Sequence, residues 1–185
     1  MHCVIVYVSF GFQMRTNRCW TLILSFLCFT IPFSAGAAEF QGMPLPENTS
    51  IVLVADGEGV QIYESKTNST GGYEWTLKAP EAELKSLTGE ILGKHFAGPT
   101  WSLSDGSELA GSLPPIKAVG APNKQDIPWL LIAAKSKSGV GILSSAEYVL
   151  RIATAGGIPP HEAPKSATDT ARVKYRAIYL FLRKQ

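Results

Sequence analysis

The chain has 185 residues, with 17 Lys and Arg against 15 Asp and Glu, and three Cys. Arg15 and Arg18 alone account for the basic excess, so the rest of the chain is close to neutral and has no basic cluster. Nucleic-acid partners, whose binding rests on neutralising phosphates, are therefore not expected, nor is a polybasic patch for a membrane surface.

Residues 1–38 contain no Asp or Glu. Arg15 and Arg18 follow Met14, then comes the apolar run "WTLILSFLCFTIPF", Trp20 to Phe33, then "SAGAAEF". A short basic region, an apolar stretch and a small-residue A-x-A pattern at Ala35-Gly36-Ala37 make a secretory signal peptide. The run is shorter than the about 20 residues of a spanning helix, so no stable membrane insertion is expected after cleavage. Met14 is the expected start, with residues 1–13 an over-extended beginning. Cys3, Cys19 and Cys28 all lie in this leader. The processed chain then has no disulfide and no thiolate nucleophile, and its stability must come from a hydrophobic core. About 147 residues suffice for one domain.

Residues 39–50 read as a loose arm and 51–185 as a single domain. "IVLVADGEGVQIYES" (51–65) reads as a hairpin turning at Asp56-Gly57-Glu58-Gly59. "YEWTLKA" alternates cleanly, with Tyr73, Trp75 and Leu77 on one face, as a half-buried strand does. "PEAELKSLTG", between Pro80 and Gly89, reads as a loop or a single helical turn. "WSLSDGSELA" is a second hairpin, turning at Asp105-Gly106. "IPWLLIAAKSK" (127–137) is apolar on both faces, as a central strand is, and Pro128 fits only its start. "AEYVLRIAT" and "ARVKYRAIYLFLR" complete the strands. In the last, Val173, Tyr175, Ala177, Tyr179 and Phe181 share a face, while the other face runs from Arg172, Lys174 and Arg176 into Ile178, Leu180 and Leu182. "SGVG" (138–141) and the long stretch 156–170 read as loops. No segment sustains a 3.6-residue apolar period. The prediction is all-β: one antiparallel sandwich or partly closed barrel of about eight to ten strands.

Candidate chemistry is sparse. His95, in "GKHFAGPTW", suits a general base, with Asp105 or Glu108 across the hairpin as its partner; it equally suits a packed ring bonded to backbone carbonyls. Asp105 is otherwise explained by its turn, and Gly98-Pro99 by a turn or bulge. Arg151 interrupts an apolar strand. A guanidinium there is either an anion clamp or one half of a salt bridge to Glu81, Glu108 or Asp126. Trp75, Trp101 and Trp129, with Tyr63, Tyr73, Tyr148 and Tyr175, either line a stacking groove or fill the core. His161, in the long loop, reads as exposed. Two histidines and no cysteine in the processed chain are too few for a zinc site, and no metal or cofactor is expected. There is no G-x-S-x-G, H-E-x-x-H or P-loop. Asn48 and Asn68 head glycosylation sequons.

The strings "GVQIYES", "WTLKAPEAEL", "GKHFAGPTW", "DGS", "IPWLL", "LRIATAGGIPP" and "YRAIYLF", in that order, resemble domain-of-unknown-function family 3455, exported proteins of bacteria and fungi. The similarity runs from about Ile51 to Phe181. It implies an exported, mostly β domain and no established activity. The dehydrogenase label of some fungal relatives finds no support, because no G-x-G-x-x-G lies between a strand and a helix. The resemblance also implies a cysteine pair that this chain lacks: Ser65 stands at one position, and the other falls in His161–Pro164. Without that staple, the loop at 156–170 is expected to be freer.

The leading functional reading is a non-catalytic exported module, monomeric, that binds a small ligand or an envelope component. Arg151, Trp101 and Trp75 are its ligand-binding candidates. The alternative is a periplasmic or secreted hydrolase or lyase using His95 with Asp105 or Glu108. An enzyme needs two or more titratable groups with shifted pKa values meeting in one cleft, whereas a binding module shows an aromatic groove with few of them; whether His95 and Arg151 share a pocket is the most informative observation. Export itself predicts a mature N-terminus near Ala38 or Glu39 by mass spectrometry of protein from the native host. Intact Met1 or Met14 in the cytoplasm would contradict it.

Overall fold

The computed structural model describes residues 39, 40 and 42–185; the leader read at 1–38 lies outside the described residues. The strands in chain order are β1 (Glu39–Phe40), β2 (Met43–Pro44), β3 (Thr49–Thr67), β4 (Tyr73–Lys85), β5 (Ile91–Phe96), β6 (Thr100–Leu103), β7 (Glu108–Gly111), β8 (Lys117–Val119), β9 (Trp129–Ser138), β10 (Tyr148–Gly156) and β11 (Thr170–Lys184). A short 3-10 turn, Ile142–Ser145, joins β9 to β10. β1 and β2 make a small ladder of their own. The other nine strands form one antiparallel sheet in the order β10-β11-β3-β4-β5-β6-β7-β9-β8. β9 pairs with β10 as well as with β7, so the sheet returns on itself in a ring. The fold is all-β, as the alternation and turn spacing predict.

Two stretches differ from the sequence expectation. The 51–65 segment is not a hairpin; it runs straight through as part of the 19-residue strand β3. Its glycines serve close approach rather than turning. A Cβ on Gly57 would come within 2.5 Å of the Tyr179 ring, and one on Gly59 within 2.1 Å of the Glu81 carbonyl oxygen. Likewise 80–89 is neither loop nor helical turn. β4 continues to Lys85, and the chain reverses at Ser86–Gly89, where Gly89 has φ 92°. Pro80 is tolerated in β4 because β5 covers only Ala82–Lys85 on that side, which leaves Pro80 at an open edge. The segment expected as a loose arm is pinned: Met43 is fully buried.

The hydrophobic residues divide into two cores by strand parity. Inside the ring lie Leu84, Trp101, Leu109, Ile132, Val149, Tyr175, Tyr179 and Phe181. On the reverse of β9, β10 and β11 lie Trp129, Leu131, Leu150, Ile152, Leu180 and Leu182, covered by Met43, Leu45, Val119 and Ala121. The continuous apolar text of "PWLLI" and "IYLFL" is thus explained by strands buried on both faces. Polar residues on the outer face of β3, β4 and β11 are joined in cross-strand ion pairs: Arg176 with Asp56, Arg172 with Glu81 at 3.1 Å, and Lys85 with Glu58 at 2.9 Å.

Gly59→Ala should lower stability by about 1–3 kcal/mol in urea denaturation, because its methyl group meets paired backbone that cannot yield. Gly120→Ala, where nothing lies within 4 Å, should stay within about 0.5 kcal/mol of wild type. Equal effects would contradict the close strand approach at Gly59.

Candidate functional site

Two rows of side chains face each other inside the ring. β-pairing aligns Ala82, His95, Trp101 and Leu109 in one row. It aligns Leu130, Arg151, Tyr179 and Ala55 in the other. The rows meet at aromatic contacts. The His95 ring lies flat on Trp101, with centroids 4.6 Å apart and planes 6° from parallel, and both stand edge-on to Tyr179, at 5.2 and 5.8 Å. Between the rows is a cavity of about 170 Å³ to which His95, Trp101, Gln61, Tyr179 and Arg151 all contribute. His95 and Arg151 therefore converge on one pocket.

His95 is held by its own hairpin. The Ala97-Gly98-Pro99 turn, with Gly98 at φ 123° and the Thr100 hydroxyl bonded to the Ala97 carbonyl, brings the Thr100 carbonyl back over the imidazole. Nδ1 donates to it at 2.8 Å, which leaves Nε2 as the acceptor of the neutral ring. Burial holds the His95 pKa down at about 4. The bond to Thr100 opposes that shift, and the charge of Arg151 adds to it. The same charge works against the rise that burial imposes on the Tyr63, Tyr175 and Tyr179 phenols.

Arg151 is half-buried on the interior face of β10. Its Nε and Nη2 donate to the carbonyl of Pro128, just before β9, at 3.2 and 2.8 Å. No carboxylate pairs with it among the described residues. Each acid that the sequence offers as a partner is engaged or turned elsewhere. Glu81 holds Arg172. Asp126 accepts from the Gly156 amide at 2.6 Å. Glu108 is paired with Ser102, whose other neighbour is Lys94, so it stands on the sheet face opposite to Trp101 and His95.

That parity also separates Glu108 from His95 as a catalytic partner. Asp105 is equally removed. Its carboxylate accepts from the Ser107 amide at 2.9 Å, the Ser107 hydroxyl at 2.6 Å and the Ile142 amide at 2.8 Å, tying the β6–β7 turn to the 3-10 turn. Those bonds hold its pKa below the ordinary carboxylate value. The general-base constellation is thus not assembled.

Trp75 does not reach the cavity either. Its indole donates to the Glu162 carbonyl at 2.8 Å. Together with Ser65 N–H to Asp169 O at 2.9 Å, this ties the long loop at 156–170 to β3 and β4. Asp169 further caps the Lys165 and Ser166 amides. The aromatic residues do not form one groove: Trp101, Tyr175 and Tyr179 fill the ring interior, whereas Trp129 belongs to the reverse-face core. Tyr63 donates to the Gly157 carbonyl at 2.6 Å. His161 is exposed.

Gln61 and Tyr179 line the cavity but are not among the candidates that the sequence singles out. Gln61 is 1% exposed, and its Oε1 has no partner among the described residues; the same holds for Trp101 Nε1, in a side chain that is 0% exposed. Gln61 does leave a signal, one amide inside the apolar text "GVQIY", and Tyr179 leaves none beyond its core parity. Among the described residues, no group of three or more His, Cys, Asp or Glu is placed to hold a metal.

A family model described as "Protein of unknown function (DUF3455)" matches residues 46–183. No curated protein and no solved structure matches the chain.

The buried neutral histidine gives a pH prediction. The unfolded chain binds a proton at His95 near pH 6.5, but the fold resists it down to about 4. Stability from the neutral ring is therefore complete above pH 6.5 and drains as pH falls toward 4, by roughly 3 kcal/mol in all. Urea unfolding at pH 7.5 and 5.0 should show a fall that His95→Gln reduces by about 2 kcal/mol. Identical falls in both proteins would contradict a buried neutral imidazole.

Proposed function

Since the chain belongs to the DUF3455 family, whose function is unknown, we propose a function from its own side chains: an exported, non-catalytic module that binds a small molecule in the cavity inside the ring. The observation that carries this reading is the convergence on one cavity of a guanidinium with no carboxylate among the described residues, a neutral histidine, and Gln61 and Trp101, two of the four side chains with a buried unpartnered polar atom there, the others being Ser65 and Trp129. A buried donor or acceptor without a partner costs about 1–3 kcal/mol, and such groups call for an explanation in a folded protein. Trp101 Nε1, a donor, is explained if a ligand supplies the acceptor that the described residues do not. The rest of the lining is mainly apolar, with Leu130, Ile132 and Pro99 among it. That is the usual make-up of a small-molecule site: apolar walls with a few convergent polar groups.

Binding is favoured over catalysis because, among the described residues, no acid or nucleophile is hydrogen-bonded to His95 to make a base–nucleophile pair. Its depressed pKa follows chiefly from burial. Export is supported by the N-terminal text alone.

The test is an NMR fragment screen read at the Trp101 indole N–H. Fragments that bind should move this resonance and leave the Trp129 indole, on the reverse face, in place. Hits that shift neither indole, or move Trp129 alone, would contradict the pocket as the binding site.

A further inference from the structure

We infer that the ligand of this pocket is a small monocarboxylate with an apolar body, its carboxylate on Arg151 and its body against Trp101, Leu130 and Ile132. The inference rests on the binding reading above and names the ligand class. Charge is the first argument. The cavity lining contains two cations, Arg151 and Lys78, and no Asp or Glu. Lys78 is exposed and shares Glu64, at 3.7 Å, with Lys66, at 3.2 Å. His95 adds no charge, since its ring stays neutral above about pH 4. Of the two cations, Arg151 is the one on the interior face with no carboxylate among the described residues, and a single negative charge would match it.

Geometry is the second argument. A planar guanidinium presents paired N–H groups that suit the two oxygens of a carboxylate. Trp101 Nε1 is a further buried donor with no acceptor among the described residues. A neutral ligand would leave Arg151 without a counter-charge. A phosphate brings more charge and more acceptor oxygens than one guanidinium and one indole can satisfy, and a buried charge left unpaired is strongly unfavourable.

Size and surface are the third. About 170 Å³ is small beside the roughly 300–1,000 Å³ of drug-sized sites. Leu77 and Leu113, 51% and 67% exposed, belong to the same lining and put apolar surface at its solvent side. A compact aromatic or branched aliphatic acid meets these conditions; a sugar or a peptide does not.

The experiment compares benzoate with benzamide, which share shape but not charge, by calorimetry on the intact protein with the Trp101 indole signal as the reporter of location. Benzoate should bind at least about tenfold more tightly than benzamide, as expected for a charge-assisted bond over a neutral one. Arg151→Met should erase that ratio while the Trp101 signal still reports a folded interior. Arg151→Lys, which keeps the charge but not the fork, should retain only part of it. Equal affinities in the wild type, a preference that survives in Arg151→Met, or displacement of benzoate by an equal concentration of inorganic phosphate would each overturn the assignment. If benzamide and other neutral fragments shift Trp101 but benzoate does not, the carboxylate class fails while the pocket stands. If no fragment or acid moves Trp101, both fail.

Discussion

The His95–Trp101 stack, with Tyr179 edge-on to both, is the contact on which the arrangement depends. It is where the β5–β6 hairpin meets β11 across the ring interior. Aromatic pairs of this kind add about 0.5–1.5 kcal/mol beyond the area they bury. They also fix where the neighbouring polar groups can sit. Gly57 has no side chain because the Tyr179 ring occupies that space. The Thr100 carbonyl fixes the His95 tautomer. Arg151 lies beside Tyr179 because β10 and β11 are in register there.

Charge is distributed unevenly around the ring. On the outer face, Arg172 and Arg176 each have a carboxylate opposite. Those pairs are solvent-exposed, and such pairs contribute little to stability. On the inner face, Arg151 donates to a carbonyl oxygen, lies against the Tyr179 hydroxyl and has no carboxylate among the described residues, in surroundings where a charge is costly to leave unmatched. Three acids stand close enough in sequence pattern to suggest a partner, and none is delivered. Proteins tend to leave local rules unsatisfied at functional sites.

Strand parity was the most legible property of the sequence. It gave the two-faced burial of "PWLLI" and "IYLFL", the Asp105-Gly106 turn and the all-β class. The same parity, once pairing is known, removes Glu108 from His95; sequence proximity across a hairpin does not say which face a residue takes. Glycine was the main source of error. Asp56-Gly57-Glu58-Gly59 has the text of a turn, but its glycines answer to Tyr179 and to the β4 backbone, partners remote in sequence. Arg151 and Trp101 were visible as candidates. Their meeting with Gln61 and Tyr179 was not, because it depends on the sheet closing between β9 and β10. Trp75 looked like a ligand contact and is a clamp on the loop at Glu162.

The central claim is that Arg151 is kept for a ligand rather than for the fold, and the stability of ligand-free Arg151→Met tests it most directly. Methionine fills much of the same space, loses the bonds to Pro128 and relieves a half-buried charge. The account predicts a urea unfolding free energy within about 1 kcal/mol of wild type, or above it. A loss of about 3 kcal/mol or more, the size expected when one partner of a buried pair is removed, would show that Arg151 is a structural residue and would contradict the account.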